Sequence, residues 1–182
     1  MNSPKDLSDD DILRYANKYG ISQSELWKID TTKYLPFLRS IEDSANKKDW
    51  LQPLQVKAFD STGKKYVHFV NCYMGGFPKI KWNRFGTFDS FPLNQGGCRQ
   101  PNIQVTFEEE MDYLVAIPST VTKMKFTGFQ DEIILVYWSR MMNRRSKELI
   151  SYVEDYRSRN SDKDISVMYI NDDNLYDTAD LK

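Results

Sequence analysis

The sequence contains little of what metal and redox sites are built from: histidine occurs once, as His68, and cysteine twice, as Cys72 and Cys98. A structural zinc site needs several thiolate or imidazole ligands close together, so we predict no metal site. The two cysteines lie too far apart in sequence to form a redox pair by spacing. They are either free thiols or, in an oxidising compartment, a disulfide that staples a loop. We expect no cofactor.

Long apolar runs and a large excess of charge are also missing. No run approaches the roughly 18 apolar residues that a transmembrane helix needs, and no signal peptide is recognisable. The formal net charge of −1 gives no general attraction to nucleic acid or to an anionic membrane, so nucleic acid is not the expected partner. Met1 is either the natural start or stands in place of a removed signal. The compartment therefore stays open, with a periplasmic or other extracytoplasmic location among the alternatives.

The chain does contain enough apolar side chains for a core, because 40% of its 182 residues are hydrophobic and 14% are aromatic. One domain with an appendage is typical of this length. We predict a helical N-terminal appendage at residues 1–50 and an α/β (or α+β) domain with a mixed β-sheet at residues 51–182.

Residues 131–173 carry the clearest pattern. The run EIILVYW at 132–138 is continuous and rich in β-branched residues, as in a strand that is covered on both faces. Apolar residues then recur at helical spacing among charged ones, and ISVMYI at 165–170 resumes a strand. Two buried strands joined by one helix predict a right-handed βαβ unit with parallel strands. Ligand sites in such units lie beyond the carboxyl ends of the strands, here at residues 139–146 and 171–174.

This stretch resembles the βαβ core of thioredoxin-like proteins, especially bacterial thiol–disulfide reductases. In that family a strand that ends in Trp or Phe leads to Cys-x-x-Cys at the start of a long helix, which continues with Lys/Arg-x-Glu-Leu or a similar sequence. Trp138, Lys147, Glu148 and Leu149 fit this frame. We therefore expect Trp138 to be largely buried at the end of the first parallel strand.

The two positions at which the resemblance places the cysteines are Met142 and Arg145. Dithiol exchange needs an attacking thiolate and a second thiol that resolves the mixed disulfide. Neither residue supplies a thiol, so we predict that the core is inactive in disulfide reduction and that the protein is not an enzyme of this class. Residues 142–146 instead present helix N–H groups beside Arg144 and Arg145, which suits either a bound anion or a solvated basic helix start.

In residues 54–73 the side-chain pattern repeats every two positions, which predicts a β-hairpin that turns at residues 60–64, with His68 as an ordinary sheet residue.

Thr106 and Glu109 form a capping box, which predicts a helix of about three turns that ends before Pro118. Residues 122–126 predict an edge strand. The resulting order, ββα followed by βαβ, is a rearrangement of the thioredoxin-like order, and the cis-proline of that family has no recognisable counterpart.

The segment at residues 74–101 interleaves aromatic residues with cations, among them Trp82 with Lys79, Lys81 and Arg84. Such a mixture either binds a ligand through stacking and charge or packs down over the sheet. Residues 80–82 and 87–89 predict two short strands that pair across 83–86. We favour packing, and if the protein binds a ligand this segment is the first candidate.

Residues 1–50 predict three helices. The first begins after the N-cap Ser8 and ends at Gly20, a short second helix extends through residues 26–27, and a third covers residues 31–46. Ala16, Gly20 and Ile21 are spaced as in a helix-turn-helix over residues 12–29. The segment lacks the basic excess that a DNA-binding face normally shows, so DNA binding is an alternative and not the main prediction.

We predict a non-catalytic binding or interaction protein with a redox-inactive thioredoxin-like core, whose partner is a protein or a small ligand. The alternatives are a thiol–disulfide redox enzyme that uses Cys72 or Cys98, and a helix-turn-helix DNA-binding protein. We assign no catalytic or metal-binding residue, because Asp172 and Asp173 resemble a calcium loop only superficially. The candidate ligand-binding residues are Trp82, Lys79, Lys81, Arg84, Arg144 and Arg145.

Overall fold

The computed structural model describes residues 7–74, 79–83, 86, 88–89, 104–118 and 130–177. Its strands in these residues are β1 (Leu26–Ile29), β2 (Gln55–Asp60), β3 (Lys65–Val70), β4 (Leu114–Ala116), β5 (Glu132–Trp138) and β6 (Ile165–Asn171). Its α-helices are α1 (Asp9–Tyr19), α2 (Thr31–Ser40), α3 (Ser44–Trp50), α4 (Phe107–Met111), α5 (Arg144–Arg159) and α6 (Asp173–Asp177). Within these ranges no helix is both long enough and apolar enough to span a bilayer.

The six strands form one mixed sheet in the order β3-β2-β5-β6-β1-β4. β1, β6 and β5 are parallel to one another, whereas β2 runs antiparallel to β5 and β3, and β4 runs antiparallel to β1. The predicted fold class, an α/β protein with a mixed sheet, is therefore confirmed. The predicted order also holds for its elements, because β2, β3 and α4 precede β5, α5 and β6.

The predicted βαβ unit forms as expected. β5 and β6 pair in parallel from Glu132↔Ile165 to Trp138↔Asn171, and α5 connects them. Every residue of β5 is buried, including Trp138, because helices cover both faces of the sheet. Strands that are buried on both faces read as continuous apolar runs, which is why this unit was visible in the sequence.

The sheet separates two hydrophobic cores. The first core lies between one face of the sheet and helices α1 and α5, and it also takes in Ile80, Trp82 and Phe88. The second core lies between the opposite face and helices α2, α3, α4 and α6. The chain therefore leaves β5 toward the first face and leaves β6 toward the second face.

The predicted hairpin is also confirmed. β2 and β3 pair antiparallel, and Asp60 Oδ1 accepts hydrogen bonds from the backbone N–H groups of Thr62 (2.9 Å) and Lys64 (3.1 Å) in the turn. Gly63 has φ of 76°, a left-handed conformation that glycine adopts without steric cost.

The N-terminal segment differs from the prediction after its first helix. α1 is capped by Ser8 and ends at Gly20 with φ of 79°, as predicted. The predicted second helix is wrong: residues 23–25 form one 3₁₀ turn, and β1 follows. Leu26 packs in the first core while Trp27 and Ile29 pack in the second. Burial on both faces of the sheet favours a strand here over a helix, so the second helix of a helix-turn-helix does not form.

Two further helix predictions need correction. The helix predicted at 31–46 is divided into α2 and α3, because Asp43 caps α3 by accepting from the N–H groups of Ala45 and Asn46 (2.8 and 3.0 Å). The Thr106–Glu109 capping box is present, but its helix is only five residues long and β4 follows. Leu114 and Ala116 turn their side chains into the second core, which favours a strand.

The hairpin predicted between 80–82 and 87–89 does not form in the described part, where residues 80–81 have no regular secondary structure and residues 82–83 form a turn. Thr87 and the edge strand predicted at 122–126 lie outside the described residues.

Candidate functional site

The carboxyl ends of β5 and β6 form the edge at which ligands of parallel sheets bind. The chain departs to opposite faces from these two neighbouring strands, which is the geometry that opens a crevice. Residues 139–146 and 171–174 meet there, as the sequence predicted, because Trp138 pairs with Asn171 at the end of the ladder.

In this protein the side chain of Asp173 lies at this edge, between the ends of β5 and β6. Its carboxylate is buried and accepts hydrogen bonds from Ser139 Oγ (2.8 Å), from the backbone N–H of Arg140 (2.7 Å) and from Asn171 Nδ2 (2.9 Å). A carboxylate held by several donors is strongly stabilised in its place. The donors that would otherwise face a ligand anion are thus occupied by the protein itself.

At the start of α5, backbone N–H groups are likewise hydrogen-bonded within the protein. The backbone N–H groups of Met142, Asn143, Arg145 and Lys147 donate to carbonyl groups three or four positions earlier. The expectation that residues 142–146 offer free N–H groups to an anion is therefore wrong for Met142, Asn143 and Arg145. What this helix start presents to solvent is the side chains of its arginines.

The thiol chemistry of the resembled family has no support among the described residues. Met142 is buried and Arg145 pairs with Glu148 at 2.6 Å. Cys72 lies in the 3₁₀ turn that follows β3, and its thiol donates to Asp49 Oδ1 at 3.7 Å. Burial, followed by the charge of Asp49, raises the pKa of the Cys72 thiol to about 11, so the reactive thiolate is scarce at neutral pH. Cys98 lies outside the described residues.

A groove runs between residues 79–83 and the first turns of α5. Trp82 is buried beneath it, and its indole N–H donates to the carbonyl oxygen of Arg145 at 3.1 Å. The groove has a volume of about 350 Å³, and we call it the Trp82 groove. Its lining residues are Ile80, Lys81, Trp82, Asn83, Arg145, Glu148 and Tyr152.

The Trp82 groove unites candidate residues that the sequence offered in two separate stretches. Lys81, Trp82 and Arg145 line it together. Lys79, two residues before Lys81, is exposed. The Arg144 side chain at the start of α5 is 84% exposed. Arg84 lies outside the described residues. The burial of Trp82 agrees with the packing interpretation of this aromatic residue.

A second pocket of about 380 Å³ lies at the carboxyl end of β1, where Lys28, Asp30 and Asn174 contribute to its lining. Its polar groups are largely engaged within the protein. Lys28 Nζ pairs with Asp9 Oδ1 at 2.5 Å, Asp30 caps α2 through the N–H of Thr32 at 3.1 Å, and Asn174 Nδ2 donates to the Ile29 carbonyl at 2.8 Å. We take the Trp82 groove as the stronger candidate because it brings together Lys81, Trp82 and Arg145, which the sequence indicates independently.

Sequence reasoning missed a buried ionisable cluster in the second core. Lys57 Nζ contacts Glu110 Oε1 at 2.5 Å and the Tyr137 hydroxyl at 3.4 Å, and it lies 3.7 Å from the centre of the Trp50 ring. Tyr137 donates a short hydrogen bond to the same Glu110 oxygen. Burial lowers the pKa of Lys57 to about 7, although the charge of Glu110 acts in the opposite direction. His68, whose Nε2 lies 2.9 Å from Gln55 Oε1, adjoins this cluster.

Lys57 alternates with Val56 and Ala58 along β2, and both faces of the sheet are covered. The one indication in the sequence that this face of β2 is buried is Phe59, which lies on the same face as Lys57 and packs in the second core. Lys57 and Glu110 are completely buried, so the cluster fastens α4 to the sheet and does not meet a ligand from solvent.

Asp172 is a second buried group whose importance the sequence did not reveal. Its side chain is fully buried. The neighbouring Tyr176 hydroxyl donates to the Leu51 carbonyl at 2.8 Å. Burial, followed by the charge of Asp173, raises the pKa of Asp172 well above its usual range.

Searches of protein-family models, curated proteins and solved structures found no match to this chain. Among the residues that the structure describes, no three His, Cys, Asp or Glu side chains are grouped closely enough to hold a metal ion.

Proposed function

We propose that the protein is a non-catalytic binding module, built on a thioredoxin-like core without thiol–disulfide chemistry, and that it binds through the Trp82 groove. The order of its elements supports the thioredoxin-like part of this proposal. A ββα half (β2, β3 and α4) precedes a βαβ half (β5, α5 and β6), and β2 lies antiparallel beside β5 in one sheet.

The observation that carries the proposal is the meeting of Lys81, Trp82 and Arg145 at one groove. The groove adjoins the start of α5, next to the edge where sites of parallel sheets are normally found. Its base is rigid because Trp82 is buried and hydrogen-bonded to α5, while its rim carries exposed charged side chains. A rigid base with an accessible polar rim is an arrangement that suits binding.

The two alternatives have less support. A redox enzyme would need a thiol of lowered pKa, and the pKa of Cys72 is raised to about 11. A helix-turn-helix would need a recognition helix that follows Gly20, and that stretch is a 3₁₀ turn followed by β1.

The redox part is tested by insulin reduction with dithiothreitol as the electron donor and thioredoxin as the positive control. We expect the protein and its Cys72→Ser variant to leave the background rate unchanged. Catalysis at a thioredoxin-like rate by the wild-type protein would show that the core is redox-active.

The binding part is tested by a fragment screen that is read by ¹H–¹⁵N NMR. The chain has four tryptophans, so a Trp82→Phe variant assigns the Trp82 indole N–H signal, which reports directly on the groove. We expect the shifts caused by bound fragments to concentrate on this signal and on the amides of Arg145 and Tyr152. Shifts that concentrate instead around Lys28 and Asn174 would assign binding to the second pocket and refute the proposed site.

A further inference from the structure

We infer that the partner of the Trp82 groove is an acidic peptide segment that inserts one apolar side chain. This inference rests on the proposed binding function and names the chemistry of its partner. Three features of the groove lead to it: the charge of its rim, the way that charge is held in position, and the apolar character of its base.

The rim of the groove is positively charged. Lys79 and Lys81 are exposed, whereas Ile80 and Trp82, which alternate with them along the chain, are buried. Among the described residues that line the groove, Lys81 and Arg145 are cations and Glu148 is a carboxylate. Arg144, whose side chain is 84% exposed, adjoins Arg145 at the start of α5. The described lining therefore has more cations than carboxylates, although the whole chain has a net charge of −1.

Glu148 positions the two arginines. Its Oε1 pairs with Arg144 Nε at 2.9 Å and its Oε2 pairs with Arg145 Nη1 at 2.6 Å. One carboxylate thus orients two guanidinium groups at the same end of the groove. Because a guanidinium carries five N–H donors in a fixed plane, an oriented pair is suited to recognising carboxylates of a partner.

The base and one wall of the groove are apolar. Ile80 and Trp82 are buried below it, and Tyr152 is 37% exposed beside it. Phe88 stacks on the Tyr152 ring, with a centroid distance of 5.7 Å and an interplanar angle of 17°, so the ring is held in place. The volume of about 350 Å³ is at the small end of ligand pockets, which suits one apolar side chain of a peptide whose flanking residues stay on the rim.

The same cations could attract nucleic acid, but the aromatic residues argue against it. Binding of a single strand depends on exposed aromatic faces on which bases stack. The Trp82 ring is buried, and Phe88 already covers one face of Tyr152. An acidic peptide needs only charge on the rim and one apolar recess, and the groove supplies both.

The test is a titration, followed by NMR and calorimetry, with three synthetic peptides in which one central phenylalanine is flanked by glutamates, glutamines or lysines. Single-stranded DNA is the fourth probe. We expect the glutamate peptide to shift the Trp82 indole N–H signal and to bind at least about tenfold more tightly than the glutamine peptide. Added salt should weaken its binding.

Charge-reversal variants locate the binding. The double variant Lys81→Glu/Arg144→Glu should weaken the glutamate peptide by about tenfold or more. The matched control is the double variant Lys33→Glu/Lys48→Glu, which reverses two exposed lysines of α2 and α3 on the opposite side of the sheet and should leave the affinity unchanged. Thermal melts of both variants confirm that they remain folded.

Each other outcome overturns the inference in a distinguishable way. Equal binding of the glutamine peptide at the groove would refute an acidic partner but leave the proposed binding site in place. Preferential binding of DNA would assign the surface to nucleic acid. If no peptide shifts the groove signals, the inference is wrong, and the fragment screen decides the proposed function independently.

Discussion

Lys57 Nζ lies 2.5 Å from Glu110 Oε1, and both side chains are completely buried. This ion pair joins β2 to α4, a helix of only five residues. We expect Lys57→Met to lower the free energy of unfolding by about 3–5 kcal/mol, because it leaves the Glu110 carboxylate buried without its cation. Urea denaturation measures the change.

The double variant Lys57→Met/Glu110→Leu removes both charges and should be more stable than the single Lys57→Met variant. Arg14→Met is the control, because Arg14 pairs with Asp11 at the surface and its loss should cost less than about 1 kcal/mol. A Lys57→Met protein as stable as the Arg14→Met control would show that the buried pair is not what holds α4.

The buried carboxyl group of Asp172 should make the wild-type protein less stable as the pH rises. Since the pKa of Asp172 is raised in the folded state, the folded protein keeps a proton that the unfolded chain releases above about pH 4. The stabilisation is present below that pH and declines by up to about 1.4 kcal/mol per pH unit above it.

Asp172→Asn removes this titration. The variant should therefore gain stability relative to wild type between pH 4 and pH 7, as measured by denaturation at each pH. A stability difference that stays constant across this range would contradict the raised pKa.

His68 acts in the opposite direction. Burial, followed by the charges of Lys57 and Lys65, lowers the pKa of His68 well below its usual value. The unfolded chain therefore takes up a proton below about pH 6.5 that the folded protein refuses. The stability that the neutral imidazole provides is present above that pH and is lost as the pH falls.

Since His68 is the one histidine in the sequence, His68→Gln isolates its effect. We expect wild type to lose more stability than this variant between pH 7 and pH 5, by up to about 1.4 kcal/mol per pH unit. Parallel stability curves for the two proteins would show that His68 is protonated in the folded state.

Trp82 should be a structural support of the groove. Trp82→Ala removes a buried ring and should cost about 3–5 kcal/mol, which lowers the melting temperature by on the order of 10 °C. Trp82→Phe keeps most of the volume but loses the hydrogen bond to the Arg145 carbonyl, at a cost of about 1 kcal/mol. Thermal melts compare the three proteins, and a Trp82→Ala melt equal to that of wild type would refute the packing role.

The elements that can be predicted from the sequence are those whose own residues show which faces are buried. β5 and β6 are covered on both faces, so each appears as an apolar run of strand length. The helix predicted over the start of β1 is wrong because the strand has only four residues, and its lysine lies between residues that pack on the sheet. β4 falls within the helix predicted from the Thr106 capping box, but that helix ends at Met111.

The site was predicted less completely, because its relationships cross the chain. The sequence indicates Trp82 and Arg145 for separate reasons, and neither stretch shows that the Trp82 indole donates a hydrogen bond to the Arg145 carbonyl. Lys57 and Glu110 have ordinary sequence surroundings for a hairpin and a helix start. Only the pairing of β2 with β5 and the position of α4 bring them together in the core.

The position of β1 in the sheet also constrains how the protein folds during synthesis. β1 pairs with β6, so Leu26 acquires its partner Tyr169 only after nearly all of the described residues have left the ribosome. Contacts between such distant residues form slowly. Until then the Leu-Trp-Lys-Ile strand has an unpaired edge, which is a recognised hazard for aggregation. The β1 strand of the nascent chain therefore keeps one edge exposed until β6 emerges.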